Sequence, residues 1–180
     1  MYFTKLTLRS VTFVPNAPRL GLNNLYKIAH TTPWISVNSD ADIQPIYNFK
    51  LDVLTPAPRD SHPNGRGWLV FEGPISADTA SAPITVHATA SNYYHEIPLR
   101  QRFSELELFG QLIMVKFIDE NTVSAKSFHL PGHIFHCHCS SNSYQKTLAR
   151  LTSEQNFWFD GAVVDVKDSF IYVKMHALIT

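Results

Sequence analysis

The sequence is poor in cysteine, in charge and in long apolar runs, and each shortage excludes a class of protein. Cys137 and Cys139 are the only cysteines among 180 residues, which is too few for a disulfide-stabilised scaffold. No run approaches the roughly 18 apolar residues of a membrane-spanning helix. Residues 1–9 alternate polar and apolar side chains, so they lack the apolar core of a signal peptide. These observations predict a soluble, intracellular protein.

Charge is both sparse and balanced. Charged residues make up 17% of the chain and the formal net charge is zero. The overall charge therefore does not supply the strong phosphate-attracting field that non-specific duplex binding needs, although local basic patches remain open. Because 44% of the residues are hydrophobic and 12% aromatic, the chain is expected to fold. At this length, we expect a single β-rich domain over residues 1–180.

Two similar hairpin patterns give the clearest structural signal. Residues 110–126 and 161–174 each begin with glycine, continue through an apolar run to Val-Lys, turn at short polar residues and end in a second run closing on lysine. β-Branched residues in the arms and Asp, Asn or Ser at the corner are typical of antiparallel hairpins. The sequence therefore predicts an antiparallel sheet, closed on itself or packed on another sheet.

The rest of the chain adds strands and two helices to this prediction. Alternation or short apolar runs predict strands at residues 2–14, 46–54, 68–72, 84–88 and 134–139. Apolar residues at helical spacing predict helices at 98–109 and 141–155, the second capped by Ser141 or Ser143, with a weaker helical indication at 20–29. Residues 31–45 and 55–67 are predicted loops.

These elements favour a mainly β fold, an antiparallel β-barrel or β-sandwich with two short helical insertions. Residues 46–128, taken alone, are predicted as three strands, a helix and two strands. That order resembles the OB-fold, a five-stranded barrel with a helix between its third and fourth strands. Strand alternation also predicts the core, which would contain Tyr47, Phe49, Leu51, Val53, Leu112 or Ile113, Val115, Val164, Val166, Ile171 and Val173.

Histidine and cysteine are concentrated at residues 129–139. On a strand, His136 and His138 would project from one face, while Phe135, Cys137 and Cys139 would project from the other. Two imidazoles at this spacing can bind one zinc or iron ion if a third ligand converges on them. His87, His95, His129, His176 or a carboxylate could supply it. The alternative is a strand with solvated histidines and thiols that pack as small apolar groups.

Aromatic residues interleaved with basic ones are a second candidate site. The predicted ligand contacts are Trp68, Tyr93, Tyr94, Arg100, Arg102 and Trp158. Single-stranded nucleic acid is held in this way, by base stacking on aromatic rings beside a basic groove. The alternative is that most of these rings fill the core, as strand aromatics usually do.

Three functional hypotheses follow from these patterns. The sequence lacks a nucleophile elbow, a phosphate-binding loop and a dinucleotide-binding fingerprint, which favours a non-enzymatic protein. Few charges on a β scaffold favour a binding or assembly module that associates with a protein partner or with itself. The first alternative is an OB-like protein that binds single-stranded nucleic acid without any cofactor, and the second is a metalloenzyme with zinc held by His136 and His138.

Overall fold

The computed structural model of the chain describes residues 5–16, 18–21, 25–36, 43–56, 66–96 and 106–180. These residues form many strands and one helix. In chain order the strands are β1 (Thr7–Val14), β2 (Arg19–Leu20), β3 (Tyr26–Thr31), β4 (Pro33–Ser36), β5 (Ile43–Pro45), β6 (Leu51–Pro56), β7 (Gly67–Ser76), β8 (Ile84–His87), β9 (Ala90–Tyr94), β10 (Leu106–Asp119), β11 (Thr122–Lys126), β12 (Ile134–Cys139), β13 (Asn156–Lys167) and β14 (Phe170–Ile179). The helix α1 is Asn142–Leu148.

Backbone contacts divide the chain into two compact units. The N-terminal unit comprises the described residues of Leu8–Ile75 and Pro83–Leu106. The C-terminal unit comprises those of Met1–Thr7, Ser76–Ala82 and Glu107–Thr180. This division does not decide whether the units fold together as the single domain predicted for residues 1–180, so that statement stays a prediction.

The C-terminal unit is a closed five-stranded barrel. Its strands pair in the circuit β10–β11–β12–β14–β13–β10. The β12–β14 pairing is parallel, whereas β10–β11, β11–β12 and β13–β14 are antiparallel. The helix α1 connects the third strand of this barrel to the fourth. This strand order and helix position are those of the OB-fold.

The N-terminal unit repeats the same circuit. Strand β1 pairs with β4 and β7, β7 with β8, β8 with β6, and β6 with β3. Only Thr32 separates β3 from β4, so the two act as one bent strand that closes the circuit. Its third and fifth strands, β6 and β8, are again parallel. The short strands β2, β5 and β9 are additions at its margins.

Alternation of side chains fills both barrels. In β7 every second residue from Gly67 is buried, and in β12 the buried set is Phe135, Cys137 and Cys139. Each barrel thereby gains an apolar interior and a partly solvated outer surface. The largest fully buried side chains include Leu8, Leu51, Leu69, Phe71 and Ile75 in the N-terminal unit and Leu108, Leu112, Phe135 and Phe157 in the C-terminal unit.

Strands β7 and β8 approach each other closely at Gly73. A Cβ atom on Gly73 would lie 2.1 Å from the carbonyl oxygen of His87 and 2.8 Å from the Cα atom of Ala88. Backbone atoms cannot move aside as the end of a flexible side chain can, so this position requires glycine because of space. Gly21 differs, since a Cβ there would have its nearest contact, the Tyr26 carbonyl oxygen, at 3.4 Å.

Most of the predicted core is confirmed. Phe49, Leu51, Val53, Leu112, Ile113, Val166, Ile171 and Val173 are buried, and Val115 is half-buried. The prediction that Tyr47 and Val164 are buried is wrong, because their side chains are 76% and 51% exposed. Tyr47 lies in a turn before β6, which begins only at Leu51, so strand alternation does not reach it. Val164 lies at a register shift between Val163 and Asp165, where the alternation is interrupted.

The mainly β barrel, its OB-like order and both hairpins are confirmed, but several local predictions are wrong. The OB-like order lies in β10–β14, and again in β1–β8, instead of in residues 46–128. Residues 20–29 and 31–45 contain strands β2 to β5 instead of a helix and a loop. Of the predicted helix 98–109, residues 98–105 lie outside the described residues and 106–109 belong to strand β10.

The helix predicted at 141–155 is real but shorter. It begins after Ser141, whose hydroxyl accepts a hydrogen bond from the Ser143 amide at 3.3 Å, so the predicted cap is confirmed. It ends at Leu148, and β13 begins at Asn156. No helix in the described part of the chain is long and apolar enough to cross a membrane.

The turn before β12 provides a pH-dependent contribution to stability. His133 is 6% exposed, and burial lowers its pKa below the usual value near 6.5, while a hydrogen bond to the Pro131 carbonyl acts in the opposite direction. The unfolded chain therefore binds more protons than the folded protein as the pH falls below about 6.5, so the free energy of unfolding decreases there.

We expect the free energy of unfolding, measured in urea, to fall less between pH 7.5 and pH 5.5 for His133→Gln than for the parent protein. Equal losses in both proteins would contradict this assignment.

Candidate functional site

The outer surface of β11, β12 and β14 in the C-terminal barrel is the strongest candidate site. In an OB-fold, the face formed by the second and third strands is where oligonucleotides and oligosaccharides bind. Here those strands are β11 and β12, and β14 adds to the same surface. Register places His136 beside Tyr172 and Ile134 beside Phe170.

Three rings form a contiguous cluster on this surface, which we call the aromatic face: His136, Phe170 and Tyr172. The His136 ring centroid lies 5.1 Å from that of Phe170 and 5.2 Å from that of Tyr172, the second pair at an interplanar angle of 88°. Such edge-to-face contacts are favourable between aromatic rings. Phe170 is 37% exposed and the other two are half-buried, so the rings are held in place but remain accessible.

Lysine side chains border the aromatic face. Lys167 Nζ lies 5.7 Å from the ring centroid of Tyr172, within cation–π distance. Register places Lys174 beside His138, two residues along β14 from Tyr172. Register places Lys116 opposite Ser124 and Ser124 opposite His136, and the charge of Lys116 contributes to the lowered pKa of His136.

An acidic neighbour partly balances this positive charge. Asp165 Oδ2 lies 3.1 Å from Lys167 Nζ, and this hydrogen bond and charge pairing raise the pKa of Lys167. Lys167 therefore stays protonated at neutral pH. The pair is exposed, so a bound anion can exchange with the carboxylate at little cost in free energy.

His136 behaves as a half-buried, neutral aromatic ring. Desolvation by burial is the larger cause of its lowered pKa, and the charge of Lys116 is the smaller one. The ring is therefore mainly neutral at pH 7. A neutral imidazole packed between two other rings can stack against a flat ligand at little desolvation cost.

The predicted zinc ligands His136 and His138 do share a face, as the alternation indicated. His138 Nδ1 lies 3.1 Å from the hydroxyl oxygen of Thr122, and His136 contacts aromatic rings. Among the residues that the structure describes, no three histidine, cysteine or acidic side chains are grouped to hold a metal ion. Zinc binding here stays a prediction.

The two cysteines cannot join these histidines. Cys137 and Cys139 are free thiols on the buried face of β12, opposite to His136 and His138. Burial raises the pKa of Cys137 strongly, so its thiolate, the form that binds metals and reacts with electrophiles, is suppressed. Both thiols act as small apolar side chains of the barrel interior.

The N-terminal unit has a separate groove on its own outer surface. It encloses a volume of about 500 Å³, within the size range of small-molecule sites. Its walls are mainly apolar and carry a few polar groups. The aromatic and polar side chains that line it include Phe13, His30, Trp34, Tyr47, Lys50 and Asp52.

Three of the predicted ligand contacts lie together in the N-terminal unit, with Trp68 on β7 and Tyr93 and Tyr94 on the neighbouring strand β9. The Trp68 ring centroid lies 5.3 Å from those of Phe13 and Trp34, so Trp68 packs against two rings that line the groove. Tyr94 is directly opposite Trp68 on β9, and Tyr93 precedes it on the other face of that strand. All three are half-buried.

The remaining predicted contacts are not brought to these sites. Trp158 lies on β13 in the C-terminal unit, opposite Ile179, and is 42% exposed. Arg100 and Arg102 lie outside the described residues. Ligand binding by all six predicted residues stays a prediction.

Sequence reasoning did not single out Phe170 and assigned His136 to a metal. Alternation within the second hairpin already placed Ile171 and Val173 inside, which implies that Phe170 and Tyr172 point outward. That signal could have identified two aromatic residues on the outer face of the strand. Their contact with His136 depends on the parallel β12–β14 pairing, which has no local sequence signature.

Comparisons with known proteins support the fold and show no family. No protein-family model and no curated protein matches the chain. Among solved structures, a deletion mutant of the single-stranded DNA-binding protein from Thermus aquaticus is similar, with a TM-score of 0.55 and 9% identity. The match covers 99% of this chain and 95% of that chain. The likeness thus extends over both barrels, and at this identity it concerns the fold alone.

Proposed function

We propose that the protein binds single-stranded nucleic acid, and that the aromatic face is its main contact surface. The observation that carries the proposal is the cluster of His136, Phe170 and Tyr172, with lysines at its border, on the ligand-binding side of an OB-fold. Partly exposed rings stack on unpaired bases, and lysines attract the phosphates between them. This specifies the ligand of the β-scaffold binding module expected from the sequence.

Single strands fit this surface better than a duplex does. The bases of a duplex are stacked on each other, so their faces are not available to Phe170 and Tyr172. Duplex binding without base contacts depends on charge, and the chain has a formal net charge of zero. The name of the structural neighbour, a single-stranded DNA-binding protein, agrees with this choice of ligand.

Fluorescence anisotropy with a labelled oligothymidine of about 30 nucleotides tests the proposal directly. At low salt we expect micromolar or tighter binding, and much weaker binding of a duplex of equal length. If Lys116, Lys167 and Lys174 each contact one phosphate, log K should fall with log salt with a slope of about −2. No binding of the single strand at tens of micromolar, or equal binding of the duplex, would refute the proposal.

A further inference from the structure

The groove of the N-terminal unit differs chemically from the aromatic face. The corresponding outer row of its barrel places His30 beside Asp52, and Asp52 beside Thr85. This row carries a carboxylate, whereas the aromatic face of the C-terminal barrel carries the His136 and Tyr172 rings. The aromatic side chains of the groove come instead from Phe13, Trp34 and Tyr47.

Asp52 forms a hydrogen bond with His30 at this groove. Its Oδ1 lies 2.6 Å from Nδ1 of His30, and its side chain is 26% exposed. The contact uses one acceptor position of a carboxylate that has about four. Asp52 can therefore accept further hydrogen bonds from a molecule in the groove without giving up His30.

A carboxylate in the groove decides which part of a nucleic acid can enter. Asp52 repels phosphate and accepts hydrogen bonds, so it favours the N–H donors of a base over the phosphate backbone. The rings of Trp34 and Tyr47 offer stacking partners, and Tyr47 is 76% exposed. Lys50, which also lines the groove, can hold a phosphate beside it.

We propose that this groove is a base-selective subsite for guanine within a bound single strand, with Asp52 as the acceptor. Guanine presents a ring N–H and an amino group side by side, which matches the acceptor positions left on one carboxylate. Adenine and cytosine present a single amino group beside an acceptor nitrogen. Thymine presents one N–H between two carbonyl oxygens that the carboxylate repels. This inference rests on the proposed function and adds a base preference to it.

The test compares three labelled oligonucleotides of about 20 nucleotides: all thymine, thymine with guanine at every fourth position, and the same with inosine replacing guanine. Inosine lacks only the amino group. Because a hydrogen bond to a charged group contributes about 1.5–3 kcal/mol, we expect the guanine strand to bind about tenfold more tightly than all thymine. The inosine strand should lie between them.

Asp52→Asn should abolish this preference, so that the variant binds the guanine strand and the all-thymine strand with affinities within about twofold of each other. Asp78→Asn, which removes an exposed carboxylate from the C-terminal unit, is the matched control and should keep the preference. Thermal melting of both variants checks that the fold is retained. Equal affinity of the parent for all three strands, or an unchanged preference in Asp52→Asn, would overturn the subsite. Failure of every strand to bind would refute the proposed function, and the subsite with it.

Discussion

The double variant Phe170→Ala/Tyr172→Ala is expected to bind single-stranded oligonucleotides at least about 30-fold more weakly than the parent. Stacking on an aromatic side chain contributes about 1–3 kcal/mol per base, and the variant removes two of the three rings of the aromatic face. Both side chains lie on the outer surface of β14, so the barrel interior is unchanged. Anisotropy titrations at fixed salt measure the loss directly.

The matched control is Trp158→Ala, an exposed ring in the same unit but far from the aromatic face. Trp158 is opposite Ile179, which follows Tyr172 by about 23 Å along β14 at roughly 3.3 Å per residue. We expect its affinity to change by less than about twofold. An equal loss in both variants would contradict the assignment to the aromatic face and would favour the sequence prediction that Trp158 contacts the ligand.

Gly73→Ala is expected to lower the free energy of unfolding by about 3 kcal/mol, a large loss for the addition of one methyl group. The new Cβ would lie 2.1 Å from the His87 carbonyl oxygen, so β7 and β8 must separate. Overpacking typically costs about 1–3 kcal/mol, and a contact with backbone belongs at or above the upper end of that range. For a chain of this size this corresponds to a fall in Tm of about 6–12 °C, measurable by calorimetry.

Gly21→Ala adds the same methyl group where space exists, since its nearest neighbour would be 3.4 Å away. Its Tm should change by no more than about 2 °C. If Gly73→Ala melts at the same temperature as Gly21→Ala, the result contradicts the close approach of β7 and β8 at Gly73. Because Gly73 belongs to the N-terminal unit, the calorimetric trace also shows whether the two units unfold together or separately.

Local chemistry in the sequence was enough to predict the hairpins, the cap at Ser141 and most of the core. Polar corners fix antiparallel hairpins within a few residues, and alternation then decides which side chains are buried. The same reasoning gave the common face of His136 and His138. Each of these features depends on neighbours close along the chain.

Features that depend on distant partners were not predictable in this way. Leu106 fitted a helical period, yet residues 106–109 are held in strand β10 because pairing within the barrel outweighs local propensity. Strand β4 contains Pro33 in a segment whose composition suggested a loop, and it exists because it pairs with β1 and β5. The aromatic face depends on parallel pairing between strands separated by the helix and β13.

The position of β14 between β12 and β13 has a consequence for how the protein is made. During synthesis β14 is the last strand of its barrel to leave the ribosome, so until then β12 and β13 each present an unpaired edge. A nascent chain at that stage has no closed barrel to protect its apolar interior, and exposed apolar surface with unpaired strand edges favours aggregation. Phe170 and Tyr172 arrive on the same strand, so the aromatic face and the closed barrel are completed in one step.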